Sequence, residues 1–473
     1  MSTPAVSSVI RALEATGGII LTASHNPGGP DGDFGIKYNC ENGGPAPDNV
    51  TNEIYERTKS MTQYKILEKT TDLVDITQAG KQEVAYDGGK MLIEIVDGVE
   101  IYLELLKTIF DFKLLKEFFL KKKILIDAMN GVMGPYVKRI IVQELGASES
   151  SAIRCVPLED FGGAHPDPNL TYASDLVQRM KTEDFDFGAA FDGDGDRNMI
   201  LGAKGFFVTP SDSLAVLAEN LDAIPYFQRE GVKGYARSMP TSRAVDLVAN
   251  AKKIAVYETP TGWKYFGNLM DAGKVSICGE ESFGTGSDHI REKDGLWAVL
   301  TWLSVLAKTG SPSVEILVKN HWKKFGRYFY SRYDYENCDA TACNSMMSAI
   351  KTKLTSEQFI GTTLIAKTTG KQFTVSDAFD YAYTNHLTGI KEPGGGHGLV
   401  IMFNDSTARA IFRLSGTGSQ GATVRVYLEQ FQEDGDKACD ITSEVALKSL
   451  AEVALTLAKL QEFTGREEPT VIT

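Results

Sequence analysis

The chain has 473 residues, of which 42% are hydrophobic and 23% are charged, as in globular proteins with substantial buried cores. Its length predicts about three or four domains. The formal net charge of −13 argues against nucleic acid or an anionic membrane as the main partner, so an anionic small substrate would require local clusters of arginine and lysine.

The cysteines and the first residues indicate the compartment. Six cysteines lie far apart and form no Cys-x-x-Cys pair, which is typical of reduced thiols and not of a disulfide framework or a zinc site. The N-terminus lacks a basic stretch followed by an apolar core, and no run approaches the roughly 18 apolar residues of a membrane span. We therefore expect a cytoplasmic protein with no nucleic-acid or membrane partner.

The first predicted elements are a helix and a strand that lead to one serine. Apolar residues recur at helical spacing over residues 6–13, and a glycine pair ends the helix. The apolar run 19–21 then predicts a buried strand, and Ser24 follows it in a turn where Pro27 disfavours helical backbone. Strand exits of this kind are where open α/β sheets bind ligands. A simple capping turn is the alternative for this segment alone.

The middle of the chain alternates strands and helices. Residues 34–38 predict a strand, and polar helices are expected to run to residue 85. Beyond residue 98 the pattern predicts strands at 123–127, 186–191, 199–201, 254–257 and 275–278, and helices at 102–110, 136–145, 213–221, 242–249, 263–270 and 296–306. Such alternation indicates βαβ units and mainly parallel sheets. The turn at 309–313 marks a boundary.

The last part of the chain has a different pattern. Strands predicted at 328–335, 374–375, 400–403, 408–414 and 423–428 are followed by a closing helix over 443–460. This pattern favours an α+β unit with an antiparallel sheet. We therefore predict an α/β protein of three α/β units followed by a smaller C-terminal α+β unit.

Three aspartates alternate with glycines in the run Asp-Gly-Asp-Gly-Asp-Arg at 192–197, directly after a predicted strand. At this spacing Asp192, Asp194 and Asp196 can converge on one hard cation, and their mutual repulsion favours a bound Mg²⁺. An EF-hand is excluded because its sixth position would be Arg197 instead of glycine. A solvated acidic turn is the alternative. The Arg197 guanidinium suits a phosphate oxygen.

A glycine-rich segment near the C-terminus has the chemistry of a phosphate site. Residues 415–421 contain a formal G-x-G-x-x-G, but a strand pattern follows at 423–427, where a dinucleotide site requires a helix. Backbone N–H groups, three hydroxyls and the flanking Arg413 and Arg425 would form a cradle for phosphate. A glycine-rich hairpin without a ligand is the alternative.

Two further loops follow predicted strands in the third unit. Residues 280–282, Glu-Glu-Ser, offer groups that could hydrogen-bond neighbouring hydroxyls of a sugar. In the segment that follows, Lys293 or His289 could handle a proton or a phosphate charge. The turn at 259–264 could bind an anion at a helix N-terminus, or it could simply be capped by Thr261.

Together these loops supply a hydroxyl nucleophile, a carboxylate metal loop, a loop for neighbouring sugar hydroxyls and a phosphate cradle. This set of groups indicates phosphoryl transfer on a phosphosugar. A serine that accepts a phosphoryl group needs in-line geometry, a metal and fixed positive charge more than it needs a strong base. No Ser-His-Asp arrangement is therefore required.

The four loops resemble the active-site loops of the α-D-phosphohexomutases. The matching runs are Thr-Ala-Ser-His-Asn-Pro-Gly-Gly at 22–29, Asp-Gly-Asp-Gly-Asp-Arg at 192–197, Gly-Glu-Glu-Ser-Phe at 279–283 and Arg-Leu-Ser-Gly-Thr-Gly-Ser at 413–419. The resemblance covers essentially the whole chain and is nearest to the eukaryotic, glucose-type enzymes. It implies four domains around a central cleft, three with similar mixed sheets and a fourth with an antiparallel sheet. Their predicted bounds are 1–97 (incomplete, with the serine loop), 98–222 (metal loop), 223–312 (sugar loop) and 313–473 (phosphate loop).

The resemblance also implies an activity and its cofactors. An enzyme of this kind is an isomerase that interconverts glucose 1-phosphate and glucose 6-phosphate, with glucose 1,6-bisphosphate as intermediate and activator. Ser24 would carry the phosphoryl group. Mg²⁺ would be held by the Ser24 phosphate together with Asp192, Asp194 and Asp196. The bisphosphate must turn over within the site, so that both of its orientations have to fit.

The remaining residues implied by the resemblance fall into three groups by role. Proton transfer and charge stabilisation would involve His25, Lys37 and Lys293. The sugar hydroxyls and their surroundings would be contacted by Arg197, Thr261, Gly262, Glu280 and Ser282. The non-reacting phosphate would be held by Arg413, Ser415, Thr417, Gly418, Ser419 and Arg425. We expect a monomer.

One departure from the family concerns the N-terminus. The family carries a segment of roughly 90 residues before this point, including a Thr-Ser-Gly-x-Arg phosphate motif, and nothing here matches it. The first domain would then lack strands and leave an apolar edge uncovered, as in a shortened isoform, an alternative start or an incomplete gene model. Two alternatives stay open: a catalytically impaired isoform that acts as a binding or scaffold protein, and a Mg²⁺-dependent phosphatase or another phosphohexomutase.

Overall fold

Five sheets and their flanking helices make up the computed structural model, which describes residues 1–30, 32–64, 74–86, 89–392, 397–418 and 421–473. The first part contains helix α1 (Thr3–Ala12), strands β1 (Gly17–Leu21) and β2 (Ile36–Cys40), helix α2 (Asp48–Ser60), and strands β3 (Gly80–Tyr86) and β4 (Gly89–Ile95). Strands β1 and β2 form one antiparallel pair, and β3 and β4 form another. Ser2 caps α1 by accepting the N–H of Ala5, which satisfies one of the free donors of the first turn.

Two expectations for this part are wrong. The strand predicted at 19–21 is present but not buried, because Ile19 is 71% exposed and Leu21 is 65% exposed while Ile20 between them is buried. Burial alternates because one face of this two-stranded sheet is open to solvent. Of the polar helices expected up to residue 85, α2 is present, residues 65–73 lie outside the described residues, and 80–86 form strand β3.

The second part is built on a mixed sheet. Its elements are α3 (Gly98–Ile109), α4 (Phe112–Phe119), β5 (Ile124–Asp127), α5 (Gly134–Tyr136) continued by a π-helix (Val137–Glu144), β6 (Ala152–Ile153), α6 (Ser174–Thr182), β7 (Phe187–Phe191), β8 (Asn198–Gly202) and β9 (Phe207–Val208). The strand order is β6-β5-β7-β8-β9, with β5 parallel to β6 and β7 and the last three strands antiparallel. The aspartate loop is the short connection between β7 and β8. Because a parallel pair needs a crossover of about a dozen residues, this loop requires an antiparallel pair.

The third part repeats this plan with four strands. Its elements are α7 (Pro210–Glu219), α8 (Pro225–Glu230), β10 (Gly234–Ser238), α9 (Ala244–Lys252), β11 (Ala255–Thr259), α10 (Trp263–Asp271), β12 (Ile277–Gly279), β13 (Thr285–Ser287), α11 (Gly295–Thr309) and α12 (Val314–Phe325). The order is β11-β10-β12-β13, with only the last pair antiparallel. The sequence does not predict β10 because Arg237 interrupts its apolar pattern. Arg237 is buried there between the carboxylates of Asp246 and Glu258, each at 2.7 Å.

Helix α11 joins the second and third parts into one core. All its residues from Gly295 to Leu306 are buried, including Trp297 and Trp302, and the same apolar cluster contains side chains of β5, β7, α7 and α9. Despite this apolar character, no helix among the described residues is long and apolar enough to cross a membrane. The helix starts after Asp294, whose carboxylate accepts the N–H of Trp297.

The fourth part has its own core on an antiparallel sheet. Its elements are β14 (Arg327–Cys338), α13 (Ala340–Leu354), β15 (Thr363–Ile365), β16 (Gln372–Asp380), β17 (Leu399–Phe403), β18 (Ala408–Gly418), β19 (Gly421–Gln432), α14 (Gly435–Ala438), α15 (Ser443–Ala458), α16 (Leu460–Thr464) and β20 (Val471–Ile472). The strand order is β15-β16-β17-β18-β19-β14-β20, and each neighbouring pair is antiparallel. The predicted fold class, α/β with mixed sheets and a C-terminal α+β unit, is confirmed.

The shared core predicts the effect of truncating α11. Leu303 is fully buried, so Leu303→Ala leaves a cavity and should lower the free energy of unfolding by about 2–5 kcal/mol. The matched control is Leu120→Ala at the end of α4, where the side chain is 82% exposed and little apolar area is lost. Urea denaturation followed by tryptophan fluorescence measures both variants. Equal destabilisation of the two would contradict the placement of the core.

Candidate active site

The loop after β1 presents the Ser24 hydroxyl to the aspartate loop. The Ser24 N–H donates to Thr22 Oγ1 at 2.8 Å, and the Ser24 Oγ donates to Asp192 Oδ2 at 3.4 Å. His25 Nδ1 lies 3.3 Å from the same Oγ. The backbone of Ser24 has φ +59°, a left-handed conformation that residues other than glycine seldom adopt and that is often found at functional sites.

The two loops touch through their backbones as well as their side chains. A Cβ atom on Gly193 would lie 2.5 Å from the carbonyl oxygen of Ser24 and 3.1 Å from the ring of Phe161. Only a glycine therefore permits this approach. Thr22 Oγ1 donates to Asp194 Oδ2 at 2.9 Å and fastens the other end of the serine turn.

The three aspartates form a buried cluster that suits a cation. One carboxylate oxygen from each of Asp192, Asp194 and Asp196 lies within 4.8 Å of the others. Burial, followed by repulsion from the other two carboxylates, raises the pKa of Asp192 well above its usual value, and burial with Asp196 raises the pKa of Asp194. Among the described residues, the Oδ1 atoms of Asp194 and Asp196 are buried without a hydrogen-bond partner. Free carboxylate oxygens in this arrangement fit a hard divalent cation.

Arg197 closes the aspartate loop with both its backbone and its side chain. Its N–H donates to Asp192 Oδ1 at 3.1 Å, and its Nε lies 3.8 Å from Asp192 Oδ2. Its Nη1 lies 3.7 Å from Asp167 of the segment before α6. Among the described residues the buried Nε has no hydrogen-bond partner, so part of the guanidinium is available to a ligand.

Two lysines contribute fixed positive charge beside the cluster. Lys293 Nζ lies 3.2 Å from Asp196 Oδ2. Burial opposes ionisation of Asp196, but Lys293 and Lys37 outweigh it and lower the pKa of this carboxyl. Lys37 Nζ lies 2.5 Å from Glu292 Oε1. Burial would neutralise Lys37, but the Glu292 and Asp196 carboxylates raise its pKa, so Lys37 is an ammonium.

The Glu-Glu-Ser loop packs directly on the aspartate loop. Arg197 and Gly284 form an isolated antiparallel bridge, and the N–H of Asn198 donates to the carbonyl of Phe283 at 3.0 Å. Glu280 is buried and accepts the N–H of Gly262 at 2.9 Å, so that two of the predicted sugar-contacting loops meet. Burial raises the pKa of Glu280.

Two more predicted sugar-contacting residues flank Glu280. Ser282 is half-buried at the tip of the same loop. Thr261 precedes Gly262, and its Oγ1 is buried without a hydrogen-bond partner among the described residues. A buried hydroxyl of this kind is available to a ligand, because unpaired polar groups are costly to bury.

The C-terminal unit brings two arginines to the same region. Arg413 Nη1 donates to the Tyr427 hydroxyl at 3.0 Å, and Arg425 Nε lies 3.7 Å from Asp334 Oδ2. The Nε atoms of both arginines are buried without a partner among the described residues. Burial first, and then the charges of Arg197, His165, Lys293 and Arg425, lower the pKa of His25. The field of the fourth unit therefore acts at the serine loop.

The predicted phosphate loop is only partly described. Ser415 is half-buried in β18, and the backbone of Thr417 and Gly418 continues this strand into a hairpin with Gly421. The side chains of Thr417 and Gly418 and the whole of Ser419 lie outside the described residues. The segment expected to be a loop is thus the end of a β-hairpin as far as residue 418.

His289 does not reach the site. Its Nδ1 lies 2.6 Å from Ser287 Oγ and its Nε2 lies 2.9 Å from Asp294 Oδ2, and all three residues are buried. These contacts have the order of a Ser-His-Asp triad, but the buried serine is closed to substrate. The group holds the segment that carries Lys293, so of the two alternatives for proton or charge handling, His289 is wrong.

Sequence reasoning missed several residues that contact the site from other parts of the chain. These are Thr3, His165, Asp167, Glu292, Asp334 and Tyr427. His165 stacks on His25 with ring centroids 6.2 Å apart. None of them stands in a glycine-rich run at a strand exit, except that Glu292 directly precedes Lys293. Charge next to a predicted site lysine was the one available signal.

Family models match almost the whole chain in the order of the fold. Residues 1–65, 100–205 and 209–325 match the models of phosphoglucomutase/phosphomannomutase α/β/α domains I, II and III. Residues 327–470 match the C-terminal domain of phosphoglucomutase-1. Together with four loops that gather a serine, three aspartates and clustered cations, these matches define a hexose phosphate mutase.

The chain belongs to the phosphoglucomutase/phosphomannomutase family. It is 56% identical to phosphoglucomutase-1 of Homo sapiens over 100% of this chain and 84% of that protein. It is 51% identical to phosphoglucomutase-like protein 5 of Homo sapiens, with 83% of that protein covered. The open form of the phosphoprotein pp63/parafusin, a phosphoglucomutase of Paramecium, superposes with a TM-score of 0.86 at 45% identity, over 100% of this chain and 83% of that one. The expectation of a phosphoglucomutase, an isomerase, is confirmed.

The carboxylate cluster predicts a metal-dependent gain in stability. Asp194→Asn keeps the side-chain volume and an acceptor for Thr22 but removes one charge, so its affinity for a divalent cation should fall about tenfold to hundredfold. Melting temperatures with and without MgCl₂ measure this: addition of the salt should raise the value for the original chain and change that of the variant much less. Asp184→Asn, 89% exposed, is the control and should keep the full shift. An undiminished shift in Asp194→Asn would contradict the site.

Proposed function

We propose that this protein interconverts glucose 1-phosphate and glucose 6-phosphate through a phosphoserine at Ser24 and a glucose 1,6-bisphosphate intermediate. The observation that carries the proposal is the contact between the Ser24 hydroxyl and the aspartate cluster, 3.4 Å from Oγ to Asp192. A serine hydroxyl beside a cation site can carry a phosphoryl group whose charge the cation offsets. The 56% identity to phosphoglucomutase-1 over the whole chain supports the same activity.

The residues of the aspartate loop fit Mg²⁺. Asp192, Asp194 and Asp196 offer three carboxylate oxygens in one buried cluster, and the free Oδ1 atoms of two of them remain to be satisfied. With the phosphate of Ser24 as a further oxygen donor, they would form the all-oxygen ligand set that Mg²⁺ prefers. Bound there, Mg²⁺ would supply electrostatic stabilisation of the charge on the transferring phosphoryl group.

In the first transfer the bond between phosphorus and Ser24 Oγ breaks and a bond to a sugar hydroxyl oxygen forms. The sugar hydroxyl loses its proton, and the electron pair of the broken bond remains on Ser24 Oγ. In the return transfer the bisphosphate, in the opposite orientation, gives its other phosphoryl group to Ser24. We assign the proton and charge handling to His25, which contacts the Oγ, and to Lys293 and Lys37, which stand beside the cluster. Lys37, held as an ammonium by Glu292, acts through its charge.

The substrate is bound between the third and fourth parts. We assign the sugar hydroxyls to Glu280 and Ser282, with Thr261, Gly262 and Arg197 beside them. The non-reacting phosphate is assigned to Arg413, Ser415, Thr417, Gly418, Ser419 and Arg425. The unpartnered buried atoms Thr261 Oγ1, Arg413 Nε and Arg425 Nε support these assignments, because a bound phosphosugar would satisfy them.

We further propose the division of the chain into domains at 1–97, 98–222, 223–312 and 313–473. The separate sheets of the second, third and fourth parts support this division. The widely spaced cysteines, none of them in a disulfide, and the net charge of −13 support a cytoplasmic location. Phosphosugars would be its ligands, and we propose that the protein acts as a monomer.

The phosphoserine predicts the effect of removing one oxygen. Ser24→Ala should abolish incorporation of phosphate from glucose 1,6-bisphosphate and lower kcat on the order of 10⁴-fold or more, because the transferring group has no carrier. The assay is conversion of glucose 1-phosphate with Mg²⁺ and the bisphosphate, with mass spectrometry of the serine peptide. Ser60→Ala on the exposed end of α2 is the control and should retain full activity. A folded original chain with neither phosphorylation nor turnover would contradict the proposal and favour a binding or scaffold role.

The phosphate contact predicts a loss that is specific to binding. Arg413→Ala should lower kcat/KM for glucose 1-phosphate about 10²-fold, mainly through KM, because one charged hydrogen-bond donor to the phosphate is lost. Arg179→Ala, at an exposed ion pair with Glu183, is the control and should leave the rate unchanged. An unchanged KM in the Arg413 variant would remove this residue from the phosphate site.

A further inference from the structure

Arg332 of β14 joins the sugar loop of the third part to the sheet of the fourth. Its Nη1 donates to Glu281 Oε2 at 2.7 Å, across the boundary between the two parts. Its Nε and Nη2 donate to the two carboxylate oxygens of Asp334 at 2.8 and 2.9 Å. The side chains are 6% exposed for Arg332, 1% for Glu281 and 4% for Asp334, so this is a fully buried ion network.

The network continues to an arginine assigned to the substrate phosphate. Asp334 Oδ2 lies 3.7 Å from Nε of Arg425, and the two residues are direct partners in the pairing of β14 with β19. On the other side, Glu281 is the chain neighbour of Glu280, which is assigned to the sugar hydroxyls. A single guanidinium is therefore two contacts away from one end of the substrate site and one chain step from the other.

Other contacts already hold the third and fourth parts together. The Tyr330 hydroxyl donates to the carbonyl of Pro240 at 3.0 Å, and Arg409 donates to the carbonyl of Thr241 at 2.7 Å. These contacts end on the turn after β10 and include no residue assigned to the substrate. A buried ion network is weak evidence for stability, because its desolvation offsets most of its attraction. Its location between two substrate-binding groups indicates a different role.

We propose that Arg332 is a positioning residue that sets the spacing between the sugar loop and Arg425 and thereby the affinity for the phosphosugar. This inference rests on the proposed function. A hexose phosphate bound in either orientation spans the same two groups, so their separation has to be fixed before the ligand arrives. Arg332 fixes it with three donors shared between Glu281 and Asp334, a geometry that the planar guanidinium provides and an ammonium does not.

The test compares two buried arginines of the same strand. Arg332→Met removes the donors, whereas Arg327→Met removes an arginine that lies five positions earlier and donates to the carbonyls of Ala438 and Ile441, away from the site. Titration calorimetry with glucose 6-phosphate gives the dissociation constant of each folded variant. We expect an increase of about tenfold for Arg332→Met and no change for Arg327→Met. Steady-state rates should show the same rise in KM with kcat changed less than about threefold.

Two milder variants keep the test decisive if Arg332→Met does not fold. Arg332→Lys retains the charge but loses the fork, and Glu281→Gln retains an acceptor but loses the charge; each should raise the dissociation constant about threefold. The melting-temperature shift caused by MgCl₂ should be the same in all of them, because the aspartate loop lies in the second part. Folded variants with unchanged affinity would overturn the role of Arg332. An original chain that binds glucose 6-phosphate without converting it would contradict the proposed function instead and leave the affinity comparison valid, and an original chain that does not bind it would overturn both.

Discussion

The mutual repulsion of three buried carboxylates is the constraint on which the rest of this site depends. Asp192, Asp194 and Asp196 are packed in one short connection, where burial and like charge both disfavour ionisation. Such a cluster persists only if opposite charge is fixed nearby. The protein supplies that charge from two directions, through Arg197 at the end of the same loop and Lys293 from the third part. Assembly of the site and assembly of the domains are thus the same event.

The local parts of this arrangement could be predicted from the sequence because each one is encoded within a few residues. An apolar run followed by Asp-Gly-Asp-Gly-Asp gives a strand and an acidic turn wherever the chain goes afterwards. The same holds for the turn that carries Ser24 and for the Glu-Glu-Ser loop. The pairs that set the charge balance are different in kind. Ser24 and Asp192 are 168 residues apart, and Arg332 and Glu281 are 51 residues apart, so no local pattern reports that they meet.

The fold shows the same division between local and tertiary information. Helices with a clear apolar stripe, such as α3 and α11, are predicted within a few residues of their bounds. Strand β10 is missed because its buried arginine becomes acceptable only beside Asp246 and Glu258, which arrive from α9 and β11. The exposure of Ile19 and Leu21 is likewise not a property of the run itself. It depends on how many strands join β1, and among the described residues β2 is the one that does.

The exposed sheet has a consequence for how the serine is held. A strand that buries only Ile20 stabilises its own loop weakly, yet Ser24 adopts a left-handed backbone that costs on the order of 1–3 kcal/mol. The compensation comes from the second part: Thr22 donates to Asp194, Ser24 donates to Asp192, and Gly193 lets the two backbones touch. The position of the hydroxyl is therefore set by the aspartate loop more than by the sheet that precedes it. Since the same carboxylates are the candidate cation ligands, filling of that site and orientation of the serine are mechanically linked.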